Sequence, residues 1–84
     1  MIKPMQTAQS EMTLDKLLAE MNAVVTGLEG SPVFRRRLLE VGFVEGSQVR
    51  FLMATPFGDP LVFSLRGASI ALRKSEARCV KVRL

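Results

Sequence analysis

The feature that most constrains this chain is a turn. Thr55-Pro56-Phe57-Gly58-Asp59-Pro60 packs two prolines, a glycine and an aspartate into six residues. Proline fixes φ and cannot donate to a ladder, while glycine and aspartate supply turn geometry, so no helix or strand runs through. Both flanks alternate. Before the turn, Val49, Phe51 and Met53 oppose Arg50 and Leu52; after it, Leu61, Phe63 and Leu65 oppose Val62 and Ser64. Parallel strands need a crossover of a dozen residues or so, and none fits here, so the two runs pair antiparallel.

The rest of the chain extends this pattern. Asn22 to Leu28 reads as an earlier strand, with Ala23 and Val25 on one side and Val24 and Thr26 on the other. Gly27 and Gly30 bracket a turn into a helix over about Pro32 to Val41. Ser31 suits its N-cap and Pro32 its first position, and Phe34, Leu38 and Val41 share one face. Gly42 stands where a left-handed glycine ends a helix. After Leu65, Arg66-Gly67-Ala68 makes a tight hairpin into a very short strand, Ser69 to Leu72. Arg73 to Ala77 is one helical turn, and Arg78 to Leu84 a last strand with Val80, Val82 and Leu84 inward. Upstream, Thr13 caps a short helix with Leu14, Leu17 and Leu18 on one face, and residues 1–12 read as an N-terminal tail. One domain, residues 13–84, follows.

Five short antiparallel strands and one middle helix best escape exposed sheet edges by curling up. The expected fold is mainly β: a small SH3-like, five-stranded, partly closed antiparallel barrel with short helices.

Function is bounded by what the composition lacks. The 84 residues include no histidine and one cysteine. That removes Ser-His and Cys-His nucleophile pairs, histidine-ligated metals and an intrachain disulfide. Cys79 alone makes a poor metal site, and the eight carboxylates show no spacing that presents two oxygens to one ion. No phosphate-cradling glycine loop is present. No catalytic residue, metal ligand or cofactor is therefore assigned. No apolar run approaches the roughly 18 residues that span a bilayer, and no secretory signal is seen, so a cytoplasmic, non-embedded protein is expected.

Charge is uneven. Residues 61–84 hold six basic residues and one acid, hence +5, while residues 1–60 hold six basic and seven acidic, hence −1. This suggests an electropositive face, and an RNA-binding barrel is the alternative reading. Against it, Arg35, Arg36 and Arg37 fan over roughly 200° of helix and cannot meet one phosphate backbone. Phe34, Phe51 and Phe63 belong to the core by periodicity, which leaves Phe43 and Phe57 in turns. Turn aromatics suit protein docking better than base stacking, so no nucleic-acid partner is expected.

Three segments carry a family resemblance. Arg37-Leu38-Leu39-Glu40-Val41-Gly42-Phe43-Val44-Glu45-Gly46-Ser47 resembles the R-L-x-x-[LM]-G-[FIL]-x-x-G-[ST] stretch of the FeoA family. Pro56-Phe57-Gly58-Asp59-Pro60 resembles its [AP]-x-G-D-P turn, and Ile70-Ala71-Leu72-Arg73-Lys74-Ser75-Glu76-Ala77 its I-A-L-R-x-x-E-A segment. The resemblance covers about Thr13 to Leu84. It implies a stand-alone, non-enzymatic domain that works with FeoB, the membrane ferrous-iron transporter with its own GTP-binding domain. The chain departs from the family in its first 12 residues and in having Glu20-Met21-Asn22 where a glycine is common; Asn22 is expected to take the left-handed conformation.

The docking surface is expected on the turn Thr55 to Pro60 together with the helix end around Leu38 to Phe43. Leu38, Phe43, Pro56, Phe57, Asp59, Arg37 and Arg73 are its candidate residues. Phe57 is either an exposed anchor or a lid over the barrel mouth. Phe43 is either exposed or a lid over one barrel end. Asp59 is expected to bond within its own turn. Arg37 and Arg73 either pair with Glu76 or face the partner. That partner is the GTP-binding domain, the membrane portion or a second copy of this chain.

Overall fold

The structure, a computed structural model, describes residues 11–18 and 20–84. Residues 1–10 of the expected tail lie outside the described residues. Six antiparallel strands form one sheet: β1 (Glu11–Thr13), β2 (Asn22–Leu28), β3 (Gln48–Ala54), β4 (Leu61–Leu65), β5 (Ala68–Leu72) and β6 (Val80–Arg83). Their order is β1-β6-β2-β3-β4-β5. Helix α1 (Pro32–Val41) joins β2 to β3, and a single turn of helix, α2 (Lys74–Ala77), joins β5 to β6. The end strands do not pair with each other. A 3-10 turn after β1 (Leu14–Lys16) packs against α2, and the Asp15 carboxylate meets Arg78 at 3.7 Å across that seam. The result is a partly closed antiparallel barrel, as the alternation predicts, but with six strands and not the expected five, because β1 adds to β6.

Local chemistry explains each junction. The Ser31 hydroxyl accepts from the Phe34 backbone N–H at 3.2 Å, with Pro32 at the first helical position. Gly42 ends α1 at φ +125°, and its N–H reaches the carbonyls of Leu38 and Leu39. A Cβ there would stand 3.2 Å from Leu65 Cδ2, so a side chain would be both strained and crowded. Arg66 and Gly67 both have positive φ, the geometry of a two-residue hairpin turn.

The inward row runs Met12–Val82–Val25 and, on neighbouring strands, Phe51–Phe63–Ile70. Phe51 and Phe63 meet with ring centroids 5.5 Å apart, tilted by 56°. Leu14, Leu17, Leu38, Phe43, Leu61, Leu72 and Ala77 complete the core.

Five expectations are corrected. Glu11 and Met12 belong to a strand and not to a tail, because they pair with Arg83 and Val82 on the free side of β6. Three residues with one inward apolar side chain are too short to show a period. Leu18 does not share the face of Leu14 and Leu17; the chain turns extended at Leu17 and leaves Leu18 exposed. The left-handed residue before β2 is Glu20 (φ 65°) and not Asn22, which already pairs with Arg50. Met53 does not follow Val49 and Phe51 inward, because a bulge at Leu52 reverses the alternation. The last strand begins at Val80, after Arg78 and Cys79 turn, and Leu84 beyond it is exposed.

Candidate docking surface

The turn between β3 and β4 is closed on itself and fastened to α2. The Gly58 N–H donates to the Thr55 carbonyl at 2.7 Å, and the Thr55 N–H to the Pro60 carbonyl at 3.2 Å. Asp59 does not bond within its own turn; its carboxylate accepts from the Lys74 backbone N–H at 2.9 Å. Lys74 opens α2, and the first backbone N–H of a helix has no partner within it, so its acceptor must come from outside. Glu76 reaches back to the Arg73 N–H at 2.9 Å. Glu76 thus serves backbone capping, and among the described residues it pairs with neither Arg37 nor Arg73.

On this braced loop Phe57 is 96% exposed. It is no lid. Pro56 is exposed beside it, and the Lys74 ammonium folds toward Gly58. The bulge at Leu52 adds what sequence reasoning missed. It sets Met53, Val62 and Ala71 side by side on the outer face of β3, β4 and β5, with Met53 54% exposed. At normal strand spacing this apolar row is about 10 Å long. Its signal in the sequence is weak, since a bulge can only be inferred where the partner register is known. Leu61 pairs with Leu72, so Arg73 and Lys74 border this end of the sheet. Neither takes part in an ion pair among the described residues. The surface is apolar at its centre and cationic at its rim.

The helix end lies elsewhere. Gly42 packs on Leu65, at the end of β4 opposite to Leu61 and the turn. The two halves of the expected surface are therefore about 13 Å apart along the strand. Leu38 and Phe43 are buried, Phe43 completely, and present no docking surface of their own. What shows there is Leu39 and Val41, beside a groove of about 270 Å³ lined by Leu28, Arg35, Leu39 and Glu45 with Phe43 as its floor. Arg37 is exposed on α1 and does not line this groove. Ser47 locks the region: its hydroxyl donates to the Gly42 carbonyl and accepts from the Arg66 guanidinium.

The basic segment makes no stacking platform. Arg50 and Arg66 line a polar groove of about 360 Å³ with Asn22, Gln48 and Ser64, while Phe51 and Phe63 pack inward. Among the described residues no group of three or more Cys, Asp or Glu is placed to hold a metal ion, and no helix is long and apolar enough to cross a membrane.

A bent antiparallel sheet of this order, closed by a short helix and carrying its exposed aromatic on a braced loop, defines a small SH3-like domain. Residues 12–84 match the FeoA domain family, and the chain belongs to that family. It is 34% identical over 73 residues to an Fe(2+) transport protein A/Fe(2+) transporter FeoB fusion protein of Porphyromonas gingivalis, matching 87% of this chain but only 9% of that protein's length. The FeoA protein of Chlorobium tepidum superposes with a TM-score of 0.80 at 34% identity, covering 87% of this chain and 70% of the other. The FeoA of Stenotrophomonas maltophilia, solved with zinc and described as a prokaryotic SH3 domain protein, superposes with a TM-score of 0.74 at 39% identity, over 84% and 88% of the two chains.

Proposed function

We propose that this chain is an accessory module of ferrous-iron uptake that docks onto the cytoplasmic part of a FeoB-type transporter and makes or breaks no bond itself. The observation that carries the reading is Phe57, exposed on a loop held at both ends and tied to α2. An aromatic anchor on a rigid loop loses little entropy on binding. Met53, Val62 and Ala71 extend the contact, and Arg73 and Lys74 suit an acidic rim on the partner. The fusion of a related domain to FeoB in Porphyromonas gingivalis supports the choice of partner. Iron is the transporter's cargo in this reading, and the domain acts by contact.

The test is a pull-down of the transporter from membrane extract with the tagged domain, with and without a GTP analogue, set beside ferrous-iron uptake in a strain lacking the domain. Capture that Phe57→Ala abolishes, with uptake reduced in the deletion strain, is the expected result. Unchanged uptake in that strain would remove the reading.

A further inference from the structure

Among the described residues β5 ends the sheet, and one of its edges has no strand beside it. The Arg66-Gly67 connection makes Leu65 and Ala68 the hydrogen-bonded pair that closes the hairpin. Alternation then makes Phe63–Ile70 and Leu61–Leu72 the further bonded pairs. The backbone N–H and C=O groups of Ser69 and Ala71 consequently point away from β4, toward the free edge. Ala68, Ser69 and Ala71 are exposed. Soluble proteins usually blunt such an edge with charge, proline or a bulge. β5 reads Ala-Ser-Ile-Ala-Leu and has none of these, and its register with β4 is unbroken. The opposite edge, β1, has three residues, one of them Glu11.

We propose that the free edge of β5 is a strand-addition site that binds an extended, acid-ended segment of a partner protein. The inference rests on the docking reading and names the form in which the partner is held. Two donors and two acceptors, from Ser69 and Ala71, are available to an added strand. Their side chains are small enough to admit a neighbouring backbone. The helix end of β5 sets the charge preference. Arg73 and Lys74 follow the strand directly, and the three ion pairs among the described residues use neither, whereas Arg66 at the other end is held across the sheet by the Ser47 hydroxyl. The same charges argue against a second copy. A two-fold pairing that uses all the free groups sets Ser69 opposite Ala71 of the other copy, with Ile70 on the axis. That register brings the Arg73–Lys74 end of each copy toward the Arg66 end of the other, and like charges repel.

The probe is a synthetic peptide of alternating Val and Thr with Glu at both ends, titrated into the intact domain. The backbone amides of Ser69 and Ala71 are expected to shift and to slow in hydrogen exchange. N-methylating the peptide amides that face β5 is expected to weaken binding by about tenfold or more, because each methyl removes a donor. Methylating the alternate amides is expected to leave it unchanged, and replacing both Glu by Lys to weaken it. Equal binding by both methylated peptides, or no response at Ser69 and Ala71, overturns the proposal. So does a response at these amides that tracks domain concentration without peptide, which assigns the edge to a second copy. The intact transporter separates the two readings. Transporter capture with β5 still exchanging freely overturns the edge and leaves docking standing. Peptide pairing without transporter capture supports the edge as a strand-addition site and removes the transporter as its partner.

Discussion

The Asp59 carboxylate accepts the backbone N–H of Lys74 at 2.9 Å, joining the β3–β4 turn to a helix fifteen residues further along the chain. The bond supplies an acceptor to the first N–H of α2, which has no partner within the helix. Turn and helix are thereby joined two residues from Phe57.

Asp59→Ala removes the acceptor and leaves that N–H to water. A lost helix cap costs about 1 kcal/mol, within a range of about 0.5–2. Denaturant unfolding is expected to show that loss, and Asp59→Asn, which keeps an oxygen in place, to recover most of it. If both variants unfold like the parent, the bond contributes nothing to stability.

Phe57→Ala is expected to leave stability within about 0.5 kcal/mol, since its side chain touches mainly water. Affinity for the transporter is expected to fall by about 2 kcal/mol or more, roughly 30-fold, as for a central aromatic anchor. Melting curves and a binding titration on one preparation check both halves.

The strands of the barrel were legible because their interior side chains follow a period of two. Asn22–Leu28 and Leu61–Leu65 have the limits that the alternation sets, Gln48–Ala54 keeps its period only as far as Phe51, and Pro32–Val41 has the limits set by Ser31, Pro32 and Gly42. The docking surface was legible only in part. Phe57 was recognisable as the aromatic without a strand partner. Phe43 was recognised with the same rule, but the helix that ends at Gly42 carries it into the core, where it is fully buried. A turn aromatic next to a helix end and one at a turn tip look alike in sequence and differ only in what lies beneath. Phe43→Ala is accordingly expected to cost about 3–5 kcal/mol, a large share of the stability of so small a domain, and to loosen the whole fold in melting experiments.

The Lys81 ammonium donates to the Glu29 carboxylate at 3.0 Å. That hydrogen bond, and then the attraction of the carboxylate, raise the Lys81 pKa above its ordinary value of 10.5. A raised lysine stabilises the fold in its charged form. The contribution is complete below the unfolded value and is lost as pH climbs through the higher folded one. The parent is therefore expected to exceed Glu29→Gln in stability at neutral pH, and the gap to close in strong alkali. Following the Lys81 side-chain resonance through the titration is expected to show its midpoint falling in Glu29→Gln; an unmoved midpoint would separate the shift from Glu29.

Met53 tests the bulge at Leu52 and the docking row together. The alternation of β3 alone sends Met53 into the core with Phe51, where a carboxylate would be ruinous. The register sends it outward beside Val62, where a charge meets water. Met53→Glu is therefore expected to cost less than about 1 kcal/mol, while Phe51→Glu, inside the same strand, is expected to unfold the domain. On the transporter the order reverses in meaning. A folded Met53→Glu protein places a negative charge in the apolar row, and binding is expected to weaken by about tenfold or more. Met53→Leu, which keeps the apolar surface, is expected to bind as the parent does. A Met53→Glu protein that loses its β3–β4 cross-strand contacts by NMR would place Met53 inside and remove the row from the docking surface.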